Sequence, residues 1–120
     1  MSAADVFNSY LDRFTSGDID GAAALLADDF SFHGPMLQSQ GKVAFLEGAS
    51  GLIPITRGYD MHEQWVDGDE VCSVYDFNVE TPAGAGSVKM AEWCTVRDGV
   101  LVSSRLMFDP SQFQAFMPSE

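Results

Sequence analysis

Val88-Lys89-Met90-Ala91-Glu92-Trp93-Cys94-Thr95-Val96-Arg97, then Asp98-Gly99, then Val100-Leu101-Val102-Ser103-Ser104-Arg105-Leu106-Met107-Phe108, decides the fold class. A strand sends successive side chains to opposite faces. The first run therefore presents Val88, Met90, Glu92, Cys94 and Val96 on one face. Lys89, Ala91, Trp93, Thr95 and Arg97 fall on the other. Asp-Gly is a tight hairpin signal, so the second run returns antiparallel, with Val100, Val102, Ser104, Leu106 and Phe108 on its apolar face. Glu92 then stands in an otherwise apolar row, walled by groups such as Ser104 and Leu106. An ionised carboxylate is costly to bury unpaired. A carboxyl so placed can donate a hydrogen bond or move a proton near neutral pH. The plainer alternative is an acid at the mouth of the sheet, reaching water or an arginine.

Working outward, two more long strands precede this hairpin. Tyr59 to Val66 ends at Asp67-Gly68, and Val71 to about Thr81 ends at Pro82 and Gly84. In the first, Asp60, His62 and Gln64 share one face, and Tyr59, Met61 and Trp65 the more apolar one. In the second, Val71, Tyr75, Phe77 and Val79 form the core row, opposite Cys72, Val74, Asp76 and Asn78. Asp76 is a weaker second acid, should that face line a pocket. Gly84-Ala85-Gly86 reads as a hairpin turn.

The N-terminal part reads helical. Ser2 and Asp5 resemble a capping box, and Val6, Phe7, Tyr10, Leu11 and Phe14 recur at helical spacing. Gly17 suits the end of that helix. Asp18 caps a second helix predicted to run to about Ala27. Phe30 to His33 alternates as a short strand. Lys42 to Glu47 is a short helix with Val43 and Leu46 inward, and Gly48 to Pro54 is a loop. Helices followed by strands predict one α+β domain over residues 1–120, with helices packed on a largely antiparallel sheet.

Composition narrows the function. The chain has 120 residues, 46% hydrophobic, enough for one domain with a core. A net charge of −12 disfavours nucleic acid and anionic membrane as partners. Cys72 and Cys94 form no CxxC or Cys/His cluster, so no metal site or cofactor is expected. No signal peptide or membrane-spanning run is visible, and the expected location is cytoplasmic. No phosphate loop, GxSxG or HExxH occurs.

Tyr10-Leu11-Asp12-Arg13-Phe14-Thr15-Ser16-Gly17-Asp18-Ile19-Asp20-Gly21, followed by Leu25-Leu26-Ala27-Asp28-Asp29-Phe30, resembles the opening of nuclear transport factor 2-like domains. Within them it is most similar to SnoaL-like polyketide cyclases and ketosteroid isomerases. Arg97 to Pro110 resembles that family's last hairpin. The resemblance implies a cone, in which a curved sheet wraps around the N-terminal helices and a pocket opens between them. It also implies a homodimer formed through the outer sheet face.

In ketosteroid isomerases a helix-one tyrosine and a strand acid form an oxyanion hole. Tyr10 matches the tyrosine and Glu92 the acid. The proton-shuttling aspartate of those enzymes corresponds here to Gly34, in His33-Gly34-Pro35. His33, one position away, becomes the candidate base.

The expectation is a pocket for a small apolar organic molecule bearing a carbonyl. Tyr10, His33 and Glu92 are its candidate catalytic residues. Phe14, Met90, Cys94, Ser104, Leu106 and Phe108 are its candidate walls. Isomerisation, cyclisation or a related lyase step is the implied chemistry. A non-catalytic ligand-binding or assembly module on the same fold is the alternative. An epoxide hydrolase of the limonene type ranks last, because it needs an inward arginine and Arg105 falls on the outward row.

Overall fold

The computed structural model describes residues 2–114, so Met1 and residues 115–120 of the expected domain lie outside it. Helix α1 spans Ala3–Thr15. Its capping box is closed: Ser2 Oγ accepts from the Asp5 N–H and Asp5 Oδ2 accepts from the Ser2 N–H, both at 3.1 Å. Two otherwise orphaned donors are thereby satisfied. The apolar stripe Val6, Phe7, Tyr10, Leu11 and Phe14 is buried. Gly17 follows at φ +88°, the left-handed conformation that suits glycine at a helix end.

Helix α2, Ile19–Ala23, is capped by Asp18 Oδ1, which accepts from the Gly21 N–H at 2.9 Å. It ends before the expected Ala27. Leu26 already belongs to β1, Leu26–His33, and the Leu25 carbonyl accepts from the Leu101 N–H at 2.8 Å. Sheet pairing here outweighs local helix propensity. Strand β2, Gln38–Gln40, pairs antiparallel with β1. Helix α3, Lys42–Ala49, buries Phe45 and Ala49, whereas Val43 is 69% exposed, against the expected inward position. A 3₁₀ helix, Ser50–Ile55, replaces the expected loop.

Strands β3 (Thr56–Asp67), β4 (Glu70–Thr81), β5 (Gly84–Arg97) and β6 (Val100–Met107) form an antiparallel meander. Strand β1 joins β6 in parallel, giving one curved, open, mixed sheet in the order β2-β1-β6-β5-β4-β3. The Thr81–Gly84 pair places the β4–β5 turn at Pro82-Ala83, so Gly84 opens β5 instead of making the turn. A short helix α4, Pro110–Gln114, returns Phe113 to the core.

Among the sheet's bulges, two overturn the expected inward and outward rows. In β6, Thr95 pairs with Ser103 but Val96 with Leu101, leaving Val102 extra. Leu101 therefore turns inward and is fully buried, while Val100 and Val102, expected inside, are only half-buried. In β3, Met61 pairs with Tyr75 and Glu63 with Val74, so His62 is extra. An added residue inverts the two-residue alternation beyond it. Gln64 consequently bonds inward to Ser73 and Asn8, and Trp65 is 56% exposed. Strands β4 and β5 keep register throughout, and Val88, Met90, Glu92, Cys94 and Val96 are all buried on one face. The α+β cone expected from the resemblance is the fold observed. Among the described residues, no helix is long and apolar enough to cross a membrane.

Candidate functional site

Glu92 sits at the middle of β5, opposite Ser73 on β4 and Leu106 on β6, and is 4% exposed. Its Oε1 accepts from the Tyr75 hydroxyl at 2.7 Å, and its Oε2 accepts from the Ser104 hydroxyl at 2.5 Å. Burial pushes its carboxyl above the usual range, because the low-dielectric interior disfavours the charged form. Hydrogen bonds from Ser104, Tyr75 and Cys94 pull in the opposite direction without cancelling that effect.

Beside Glu92 lies a cavity of about 190 Å³, enclosed by α1, β1, α3, the inner sheet face and α4. Tyr10, Phe14, Met90, Glu92, Leu106 and Phe108, all singled out from the sequence, line it. Tyr10 is 4% exposed, and no hydrogen bond between described side chains uses its hydroxyl. Burial, then Glu92, then Cys94 push that hydroxyl well above the ordinary tyrosine range, so it stays a donor. Tyr75 is shifted the same way, by burial first and then by Glu92. Among the described lining residues, Tyr10, Tyr75 and Glu92 are the titratable ones.

Three sequence candidates fall elsewhere. Cys94 and Ser104 are fully buried behind the wall and do not line the cavity. His33 is exposed on the outer sheet face, in a shallow groove with Gln38, Trp93 and Arg105. The inner positions of β1 are taken by Phe30 and Phe32, and strict alternation sends Ser31 and His33 outward. His33 therefore cannot serve as the base for a ligand beside Glu92. Asp76 also faces outward, where it meets His62 at 2.9 Å. Arg105 stacks on the Trp93 ring, 4.2 Å from its centroid.

Sequence reasoning assigned Tyr75 to the core and missed its role. The signal was present: in-register pairing puts Tyr75 opposite Met90, on the inner face that also carries Glu92. Phe45, Leu37 and Phe113 of the wall were also missed, since α3, the β1–β2 turn and α4 reach the cavity only through tertiary packing. Gly34 lines the cavity, at the position where the resemblance placed the isomerase aspartate. No carboxylate is available there.

The SnoaL-like domain model matches residues 7–104, most of the chain and every element from α1 into β6. The chain belongs to the SnoaL-like domain family. Solved structures agree with this SnoaL-like fold. A protein from Kribbella flavida DSM 17836 is 28% identical with a TM-score of 0.81, covering 92% of this chain and 90% of its own. An NTF2-like protein of unknown function from Cytophaga hutchinsonii ATCC 33406 is 19% identical with a TM-score of 0.81, covering 95% and 96%. A hypothetical protein with a ketosteroid isomerase-like fold from Catenulispora acidiphila DSM 44928, solved with trimethylamine, is 14% identical with a TM-score of 0.79, covering 94% and 93%. The latter two likenesses carry fold alone. Curated protein sequences give no match.

Proposed function

We propose that this SnoaL-like domain binds a small, largely apolar molecule through one carbonyl or enol oxygen, and that Glu92 moves a proton on it. The observation that carries this reading is one buried carboxyl facing an otherwise apolar cavity, with Tyr10 on the same wall and its hydroxyl in no hydrogen bond among the described residues. The cavity volume suits one substituted ring or a compact bicycle, since an apolar cavity of about 150 Å³ holds benzene.

With His33 outside, Glu92 is the base. It takes a proton from the carbon next to the carbonyl, the C–H electron pair moves onto the oxygen as an enolate, and Tyr10 donates a hydrogen bond to that oxygen. Return of the proton to another carbon is an isomerisation, and attack of the enolate carbon on a second carbonyl is a cyclisation. A raised carboxyl is better matched to this task near neutral pH than an ordinary one. Tyr10 stabilises charge only as it develops.

The test uses 2-indanone in D₂O, with binding followed by ligand NMR and exchange at its α-carbons by mass. Wild type should bind it and accelerate exchange. Glu92→Gln should lose about 10²-fold or more of that acceleration, and Tyr10→Phe a comparable factor. Absence of binding by 2-indanone and its one-ring analogues would overturn the reading. Binding without exchange would favour a ligand-holding module, a reading supported by both Glu92 oxygens already having protein partners.

The same reading includes a homodimer through the outer sheet face. Trp65, Trp93 and Met107 are exposed there at 56%, 39% and 50%, more apolar surface than a lone sheet face needs. Light scattering of the purified chain tests it.

A further inference from the structure

Among the described residues, the side chains that hold Glu92 divide by position. Tyr75 reaches Oε1 and itself lines the cavity. Ser104 reaches Oε2 and does not. Cys94, the cross-strand partner of Ser104, is also buried outside the cavity. Ser104 and Cys94 are 1% and 0% exposed. Leu106, the direct partner of Glu92, stands in the wall, while Ser104 reaches the carboxyl from the neighbouring pair.

We infer that Ser104 is a positioning residue: from behind the wall it clamps Oε2 of Glu92, leaving Oε1 as the atom that exchanges protons with a ligand. This rests on the reading of Glu92 as the proton-transferring group. Its physical basis is the difference between the two carboxyl oxygens. Oε2 takes its donor from Ser104, which does not line the cavity. Oε1 takes its donor from Tyr75, which does line it, and that hydroxyl can stay as a donor when the oxygen is charged and turn when it is protonated.

The clamp also favours the ionised carboxyl, because the Ser104 hydroxyl donates to it. The groups facing Glu92 are Tyr10 from α1, Tyr75 and Ser73 from β4, Cys94 on its own strand and Ser104 from β6. Arg105 points outward onto Trp93. Among the described residues no lysine, arginine or histidine lines the cavity, so neutral donors do the work that a cation does in an ordinary ion pair.

The experiment follows the ¹³C carboxyl signal of Glu92 through a pH titration of the free protein in wild type, Ser104→Ala and Cys94→Ala. Loss of the Ser104 donor should move the Glu92 midpoint upward by about one pH unit. Cys94→Ala should leave it closer to the wild-type value, since Ser104 and not Cys94 is the group hydrogen-bonded to Oε2. Ser104→Cys should recover part of the Ser104→Ala shift. The pH profile of 2-indanone exchange should move in step, with the Kd for 2-indanone unchanged, because neither residue touches the cavity. An unmoved Glu92 midpoint in Ser104→Ala would overturn the inference. So would weakened 2-indanone binding with the midpoint unmoved, which would make Ser104 part of the wall. The carboxyl titration needs no turnover. If wild type exchanges nothing, the catalytic reading fails while the clamp is still judged by the carboxyl signal.

Discussion

Glu92→Gln tests the central electrostatic claim through stability alone. Burial holds the Glu92 carboxyl above its ordinary value of 4.5 in the folded protein, while the unfolded chain leaves it near that value. Below about pH 4.5 the residue is protonated in both states and its contribution to stability is fully present. As pH rises, the unfolded state releases its proton first, and native stability falls until the folded midpoint is passed. Across that window the loss is at most one proton's worth, about 1.4 kcal/mol per pH unit.

For a domain of this size that corresponds to about 4–6 °C in Tm per pH unit. Glutamine has nearly the same shape and does not titrate. The difference Tm(Glu92→Gln) minus Tm(wild type) should therefore climb with pH from about 4.5 and level off above the folded midpoint. The eighteen acidic residues make the absolute curves steep, but the seventeen that remain contribute nearly equally to both proteins and cancel in the difference. Thermal unfolding followed by circular dichroism in matched buffers is sufficient. A difference that stays flat between about pH 4.5 and pH 8 would mean that Glu92 ionises as in water, and the reasoning from burial would be refuted.

Three further outcomes follow from the same geometry. Tyr75→Phe removes the donor to Glu92 Oε1; it should destabilise the fold by about 1–3 kcal/mol in urea unfolding and raise the Glu92 midpoint. Phe45 lies against Phe30 and Phe32, with ring centroids 5.1 and 4.8 Å away, and lines the cavity. Phe45→Ala should cost about 3–5 kcal/mol and admit ring systems that wild type excludes, as read by ligand NMR. Trp93→Glu puts a charge at the centre of the exposed outer row and removes the surface on which Arg105 rests. It should shift the proposed dimer to monomer in light scattering and leave the Glu92 titration unmoved.

The parts of this fold legible in the sequence are those where local rules act without interruption. The capping box at Ser2, the stripe from Val6 to Phe14 and the Asp98-Gly99 hairpin each follow from short-range chemistry, and each is where expected. Strands β4 and β5 pair without a slip over their whole contact, so the face carrying Glu92 could be read by counting in twos. Counting fails where the ladder gains a residue. His62 and Val102 carry no glycine or proline to mark them as bulges, yet they reverse the faces of Gln64, Trp65, Val100 and Leu101. Helix α2 is a different failure: Leu25 and Leu26 fit a helix locally, and only the distant Leu101 pulls them into the sheet.

The site shows the same division. Glu92 was recognisable because a carboxyl in an apolar row violates the pattern around it. Tyr75 was not, because a tyrosine among valines and phenylalanines obeys the pattern, and its partner lies seventeen residues away on the next strand. His33 shows how chemistry can mislead when it is preferred to geometry. Its proximity in sequence to Gly34 made it the natural base, although the alternation of Phe30, Ser31, Phe32 and His33 already turned it outward. His33 ends β1 on the outer face while Gly34, just past the strand, lines the cavity, so His33 does not stand in for a carboxylate at Gly34. In the proposed chemistry the burden of proton transfer falls on a carboxyl already inside, and the hydroxyls that donate to Glu92 are what make an acid tolerable there.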